Sequence, residues 1–195
     1  ITKEYKKCSK SHINTVNKDA AKIARKFELE TRIDSLTENR SFITVKDHKT
    51  QFPGKVECRL INPAKNHIGS ISKNILDKII RNVQKATNSN QWRCTDNVIR
   101  WFSKIEEKQE KTFFKFDIES FYPSIKQNLL QQAIEWAKGI TKISEEQINI
   151  IFHCRKTFLY SENSTWRKIE DPDFDVSMGS LDSAEISELI GLFLL

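Results

Sequence analysis

The residues best placed to do chemistry lie in one twelve-residue run, Phe113-Phe114-Lys115-Phe116-Asp117-Ile118-Glu119-Ser120-Phe121-Tyr122-Pro123-Ser124. Its first half, Thr112 to Ile118, alternates like a β-strand. Period two places Thr112, Phe114, Phe116 and Ile118 on a core face and Phe113, Lys115 and Asp117 on the other. A carboxylate at such a strand end, reaching into an open cleft, suits Mg²⁺ held against a phosphate. An Asp in that place equally serves to end a strand or cap the turn that follows.

A second run is basic. Val45-Lys46-Asp47-His48-Lys49 precedes Cys58-Arg59-Leu60-Ile61-Asn62-Pro63, and Pro53-Gly54 between them signals a turn, so Ser41–Lys46 and Val56–Ile61 are expected to pair as an antiparallel hairpin. Lys46, Lys49 and Arg59 on paired strands match a triphosphate, whose charge rewards several cations with a forked Arg among them. They also suit a solvated surface hairpin. A third run, Ser177-Met178-Gly179-Ser180-Leu181-Asp182-Ser183-Ala184-Glu185, is a polar loop passing into a helix. Gly179, one of only five glycines, marks a close backbone approach or a positive φ. Glu185 and Glu188 fall in the first turns of that helix, where acids suit the dipole.

The elements around these runs follow from apolar spacing. Asn17–Leu29 is expected as a helix through Ala20, Ile23, Ala24 and Phe27. A second helix carries Ile75, Leu76, Ile79, Ile80 and Val83, and a third carries Val98, Trp101, Phe102 and Ile105. Ser124 with Gln127, and Ser144 with Gln147, have the spacing of capping boxes opening helices at about 125–138 and 145–156. Phe158–Tyr160 and Thr165–Ile169 form a second hairpin about Ser161–Ser164, and a helix starts near Ser183. Asp171, Asp173 and Asp175 suit a solvated turn between that hairpin and the glycine loop.

Charge divides the 195 residues: 1–111 hold 24 Lys and Arg against 13 Asp and Glu, a balance of +11, while 112–195 hold 8 against 13, a balance of −5. The basic half fits either solvated lysine-rich helices or a surface for a polyanion such as nucleic acid. The apolar run Leu189–Leu195 is seven residues, far short of the roughly 20 of a membrane span, so no membrane partner is expected. Cys8, Cys58, Cys94 and Cys154 include no C-x-x-C pair, which fits free thiols in a reducing, intracellular compartment, nucleus and cytoplasm being indistinguishable. The opening ITKEYKKCSK has no apolar signal region, and the Asn163-Ser164-Thr165 tripeptide is accordingly discounted as a glycosylation site. The missing initial Met and the uncapped apolar end are those expected of a fragment of a longer protein.

The order and spacing of the three runs resemble the fingers and first half of the palm of a reverse transcriptase, nearest in texture to Penelope-like retroelement enzymes, over about Phe42 to Leu195. The resemblance implies an α+β fold: right-hand polymerase fingers plus the N-terminal part of a palm, an antiparallel sheet with packed helices, ending before the Tyr-x-Asp-Asp hairpin. It divides the chain into a fingers-like basic region, 1–111, and a partial palm, 112–195. VKDHK and CRLI match the family's Lys-x-His-Lys and Arg-x-Ile fingers motifs, which implies that Lys46, Lys49 and Arg59 bind the phosphates of a deoxynucleoside triphosphate. FDIESFY matches the palm motif of an Asp followed five residues on by an aromatic. By that likeness Asp117 and the Ile118 carbonyl bind Mg²⁺, one of two ions in the complete enzyme, and Tyr122 lies under the sugar. Gly179 and Ser183 match a Gly with Ser-Pro four and five residues later, as nucleotide contacts, although Ala184 stands for Pro and Met178 for a frequent Gln.

The implied reaction is RNA-directed DNA synthesis: a primer 3′-hydroxyl on an RNA or DNA template attacks the nucleotide in a two-metal displacement. One carboxylate does not hold two Mg²⁺ ions, so the chain is expected to be inactive alone and the missing aspartates to follow it in a longer protein. Two other functions fit the residues less closely. One is a nucleic-acid-binding module derived from such an enzyme and lacking its chemistry. The other is an unrelated phosphodiester hydrolase built on Asp117, for which no second acidic motif has nuclease spacing.

Overall fold

Apolar side chains at helical spacing decide most of the architecture. The computed structural model describes residues 4–26, 28, 40–63, 67–89, 92 and 94–195. Among these, in chain order, are β1 (Tyr5–Lys7), α1 (Lys10–Lys26), β2 (Phe42–Val45), β3 (Cys58–Ile61), α2 (His67–Thr87), α3 (Thr95–Ser103), α4 (Phe121–Ser124), α5 (Gln127–Lys138), α6 (Glu145–His153), β4 (Leu159–Ser161), β5 (Ser164–Lys168) and α7 (Ser183–Leu194). The fold is therefore mixed α+β with small antiparallel sheets. No helix among the described residues is long and apolar enough to cross a membrane.

The main core is helical. Leu76, Ile80 and Val83 of α2, Leu130 and Ile134 of α5, Ile151 of α6 and Ile186, Leu189 and Ile190 of α7 are all buried in one cluster. Helix α7 is central because its sequence, SAEISELIGLFL, is apolar around most of its circumference, and it packs against α2, α4 and α5. Helix α2, from the basic half, thus shares a core with the helices of the acidic half. Helix α1 starts at Lys10, earlier than its apolar spacing implies, because the Ser9 hydroxyl accepts the His12 amide and caps the first turn. Phe27 and Leu29, expected at its end, lie outside the described residues.

Both hairpins form. β2 pairs with β3 in the register Thr44 with Arg59 and Val45 with Cys58. β4 pairs with β5 across a two-residue turn, Glu162-Asn163, both at positive φ of 50° and 54°, the geometry that matches the twist of a hairpin. β1 adds to the far side of β5, giving the order β1-β5-β4. The two sheets are tied where the Ser41 amide donates to the Tyr160 carbonyl at 2.9 Å.

Three expectations are corrected. Residues 112–118 are not a strand, and the side chains assigned to a core face are exposed, Phe114 at 78% and Phe116 at 86%. A strand exists only by pairing its backbone with a neighbour. Here the described strands pair with one another, leaving none alongside. Helix α3 forms at the expected place, yet none of its residues is buried. Its Trp101 and Phe102 instead pack at tilted angles against Trp92 and Phe113, respectively. The Ser124–Gln127 capping box does not form. Ile125 is drawn into the core, which extends the chain there, so α5 starts at Gln127 with Lys126 before it. The Ser124 hydroxyl donates to the Phe121 carbonyl instead.

The Ser144 box does form: its hydroxyl accepts the Gln147 amide at 3.2 Å, and the Gln147 side chain accepts the Ser144 amide at 2.9 Å. Ser144→Ala is therefore expected to cost about 1 kcal/mol of stability. Ser124→Ala, which removes no helix cap, should cost much less. Denaturant midpoints of the two variants check this, and the reverse ranking would contradict the assigned start of α5.

Candidate functional site

The hairpin sets out its side chains by the pairing register. Successive residues alternate, so Thr44, Lys46, Glu57, Arg59 and Ile61 share one half-buried face, while Ile43, Val45, Cys58 and Leu60 share the other, which is exposed. Lys46 and Arg59 thus do fall on one face. The Lys46 ammonium is already engaged, 3.3 Å from Glu57 Oε2. That hydrogen bond holds the Glu57 carboxyl below its usual range. Lys49 lies exposed in the turn, its amide donating to the Lys46 carbonyl. Glu57 was not apparent as a site residue, since its place opposite Lys46 follows only from the register.

Asn62, at the end of β3, fastens the hairpin to the rest of the molecule. It is 4% exposed. Its backbone amide donates to the Met178 carbonyl at 2.8 Å, its side-chain amide donates to the Phe158 carbonyl at 3.0 Å, and its Oδ1 accepts the Ser41 hydroxyl at 3.2 Å. Gly179 sits against the same residue. It has φ +107°, and a Cβ placed there would meet the Asn62 carbonyl oxygen at 2.8 Å. The glycine satisfies both readings of its sequence position, positive φ and a close approach, and the thing approached is Asn62, three residues after Arg59.

The glycine loop is held from its other end by buried charge. Arg155 and Asp182 form an ion pair with side chains 0% and 1% exposed. The Ser72 hydroxyl of α2 donates to the other Asp182 oxygen at 2.5 Å. One turn on, Lys73 lies 2.5 Å from Glu185, and this bond raises the lysine pKa. Glu188 accepts the Gln84 side-chain amide at 3.0 Å. Glu185 and Glu188 therefore have structural partners on α2, in keeping with the structural reading of both. The Ser183 hydroxyl, expected at the nucleotide, is enclosed and has no hydrogen-bond partner among the described residues. Asp175 does not belong to a solvated turn: it is buried, paired with Lys168 and bonded by the Thr157 hydroxyl.

Asp117 is exposed in the irregular segment before α4 and makes no hydrogen bond or ion pair among the described residues, with the hairpin cations or otherwise. Beyond the turn at Glu119 and Ser120, the latter at φ +50°, Tyr122 is half-buried against the main core. Helix α4, which carries it, touches α7, whose first residue is Ser183. Asp117, the neighbouring Ile118 carbonyl and the exposed Glu119 offer hard oxygen ligands of the kind Mg²⁺ takes. The described residues include no group of three or more metal-ligating side chains, so these donors do not by themselves compose a two-ion centre. Nucleophilic thiol chemistry has no support at Cys154, which burial pushes up to about 12. No protein-family model matches the chain, and no curated protein matches it.

Replacing Gly179 with Ala should destabilise the protein by about 1–3 kcal/mol, because the new Cβ meets backbone at a left-handed φ. The Asn62 amide signal should shift in the same variant. A neutral effect on both would contradict the seating of the glycine on the hairpin.

Proposed function

We propose that this chain is the fingers and first half of the palm of a reverse transcriptase, a part of an enzyme that adds deoxynucleotides to a primer on an RNA or DNA template. The observation that carries the reading is the contact between Gly179 and Asn62. It joins two runs more than a hundred residues apart, the cationic hairpin and the glycine loop, that the family likeness assigns to one nucleotide site. The contact of α7 with α4 supports the assignment of Tyr122 to the same region, and Asp117, five residues before it, is assigned there by the family likeness alone.

Each residue then has a task set by its chemistry. Lys46, Lys49 and Arg59 neutralise the triphosphate and the pyrophosphate that leaves, Arg59 through its forked donors. The Lys46–Glu57 pair keeps the lysine over the hairpin face until phosphate oxygens compete for it. Tyr122 walls the sugar and rejects a 2′-hydroxyl by contact. Asp117 and the Ile118 carbonyl contribute to an Mg²⁺ site whose other carboxylates the reading requires from outside these 195 residues. Magnesium supplies Lewis-acid stabilisation of phosphate charge in such a centre.

A second reading, nucleic-acid binding without chemistry, is favoured by one feature. Trp92, Trp101, Phe102 and Phe113 form an exposed aromatic cluster with the Lys108 ammonium 5.4 Å from the Phe102 ring, a surface on which bases can stack.

Primer extension by the longer protein, with an RNA template, deoxynucleotides and Mg²⁺, separates the two. The polymerase reading expects extension, its loss in Asp117→Asn with primer–template binding retained, and a fall of about 10²–10³ in rate for Arg59→Ala. Binding without extension in the unaltered protein would leave only the second reading. Tyr122→Ala, checked for folding by its melting curve, should incorporate ribonucleotides that the unaltered enzyme rejects. Unchanged sugar discrimination would remove Tyr122 from its assigned role.

A further inference from the structure

The hairpin that the nucleotide reading assigns to a triphosphate already carries an anion of its own. Val45 pairs with Cys58, so the next rung sets Lys46 opposite Glu57, and the Lys46 amide donates to the Glu57 carbonyl at 2.8 Å. Both side chains leave that rung on one face, where the ammonium donates to Glu57 Oε2 at 3.3 Å. With 26% and 38% of the two side chains exposed, the pair stands at the surface, within reach of a ligand. The hydrogen bond from Lys46, and the nearby charges of Lys49 and Lys55, hold the Glu57 carboxyl below its usual range. Near pH 7 it is therefore fully charged.

The other charged groups of the hairpin are placed differently. Arg59 lies two residues beyond Glu57 on the same face, yet its guanidinium makes no hydrogen bond or ion pair among the described residues. Asp47, the hairpin's second acid, is in the turn beside His48, 3.9 Å from Nδ1. Glu57 is thus the carboxylate that engages a hairpin lysine, and it engages Lys46 alone. An exposed ion pair of this kind is weak, because water competes for both partners. A triphosphate, which brings several charged oxygens to Lys46, Lys49 and Arg59 at once, can displace it. The displaced carboxylate remains tethered to the same face, where like charge opposes the bound phosphates.

We propose that Glu57 is an internal competitor of the triphosphate: it occupies Lys46 before the ligand arrives and weakens the hold on whatever polyphosphate replaces it, the departing pyrophosphate included. The inference rests on the assignment of the hairpin to the triphosphate. It adds to that assignment a residue that sets how loosely the leaving group is held.

The test is a titration of the 195-residue chain with inorganic triphosphate, followed through the ¹⁵N amide signal of Arg59. Glu57→Gln, which keeps the shape and removes the charge, should bind about fivefold more tightly than the parent, the worth of roughly one unit charge a few ångströms away in water. The gain should shrink as salt rises. Asp47→Asn, the same change of charge in the turn, should gain less. In a Lys46→Gln background the gain from Glu57→Gln should also be smaller, because no ammonium is left to contend for. Bound triphosphate should move the ¹³C carboxyl titration of Glu57 to higher pH, since the carboxylate exchanges a lysine for an anion as its neighbour. Equal or weaker binding by the folded Glu57→Gln chain would overturn the inference and leave the assignment of the hairpin standing. So would a gain of the same size in Asp47→Asn or in the Lys46→Gln background. No saturable shift at Arg59 in either the parent or Glu57→Gln would remove the assignment itself, and the inference with it.

Discussion

The ion pair between Arg155 and Asp182 is the constraint on which the remaining structure turns. Both groups are withdrawn from water; each charge faces the other and Ser72 bonds the second carboxylate oxygen, while Arg155 Nε and Nη1 have no hydrogen-bond partner among the described residues. Breaking such a pair from one side typically costs about 3–5 kcal/mol, because a bare buried charge remains. Together with Ser72 the pair joins three places at once: the exit of α6, the entry of α7 and the N-terminal third of α2. The Arg155 carbonyl also accepts the Asp175 amide at 2.8 Å, so both flanks of the glycine loop are referred to one residue.

From that point the placement of the candidate site follows by short steps. Asp182 fixes where α7 begins, and the loop preceding it, Ser177–Leu181, has little freedom left. Met178 and Gly179 in that loop meet Asn62, and Asn62 fixes the base of the cationic hairpin. The outer part of the hairpin, by contrast, rests on no core: its apolar face of Ile43, Val45 and Leu60 is exposed. The base of the hairpin is thus fixed by buried hydrogen bonds while its outer part lacks core support.

Much of this was legible in the residues, and the failures share a cause. Periodic helices such as α2 and α7, and the two hairpins with turn residues between them, announce themselves because local spacing and burial agree. Thr112–Ile118 has strand spacing as clear as any, but a strand is completed by its neighbour, and nothing local states whether one exists. Ser124 and Ser144 have identical cap spacing with Gln127 and Gln147. Burial of Ile125 cancels the first and leaves the second. The three-residue β1 has no alternation to detect. In the candidate site, the types of Lys46, Arg59, Asp117 and Tyr122 were apparent, whereas Glu57, Asn62 and the Arg155–Asp182 pair depend on register or on contacts far along the chain. The lack of a hydrogen bond or ion pair between Asp117 and those cations among the described residues was likewise not readable from spacing.

On the proposed function, the hairpin, the glycine loop and the Asp117–Tyr122 turn face one nucleotide. Paramagnetic broadening tests it most directly: Mn²⁺ with a deoxynucleoside triphosphate is added to the ¹⁵N-labelled chain, and Mn²⁺ alone serves as the control. The complex is expected to broaden the amide signals of Arg59, Asp117, Tyr122 and Gly179 together, more than free Mn²⁺ does. Broadening confined to scattered acidic residues, with Arg59 and Gly179 untouched, would contradict it.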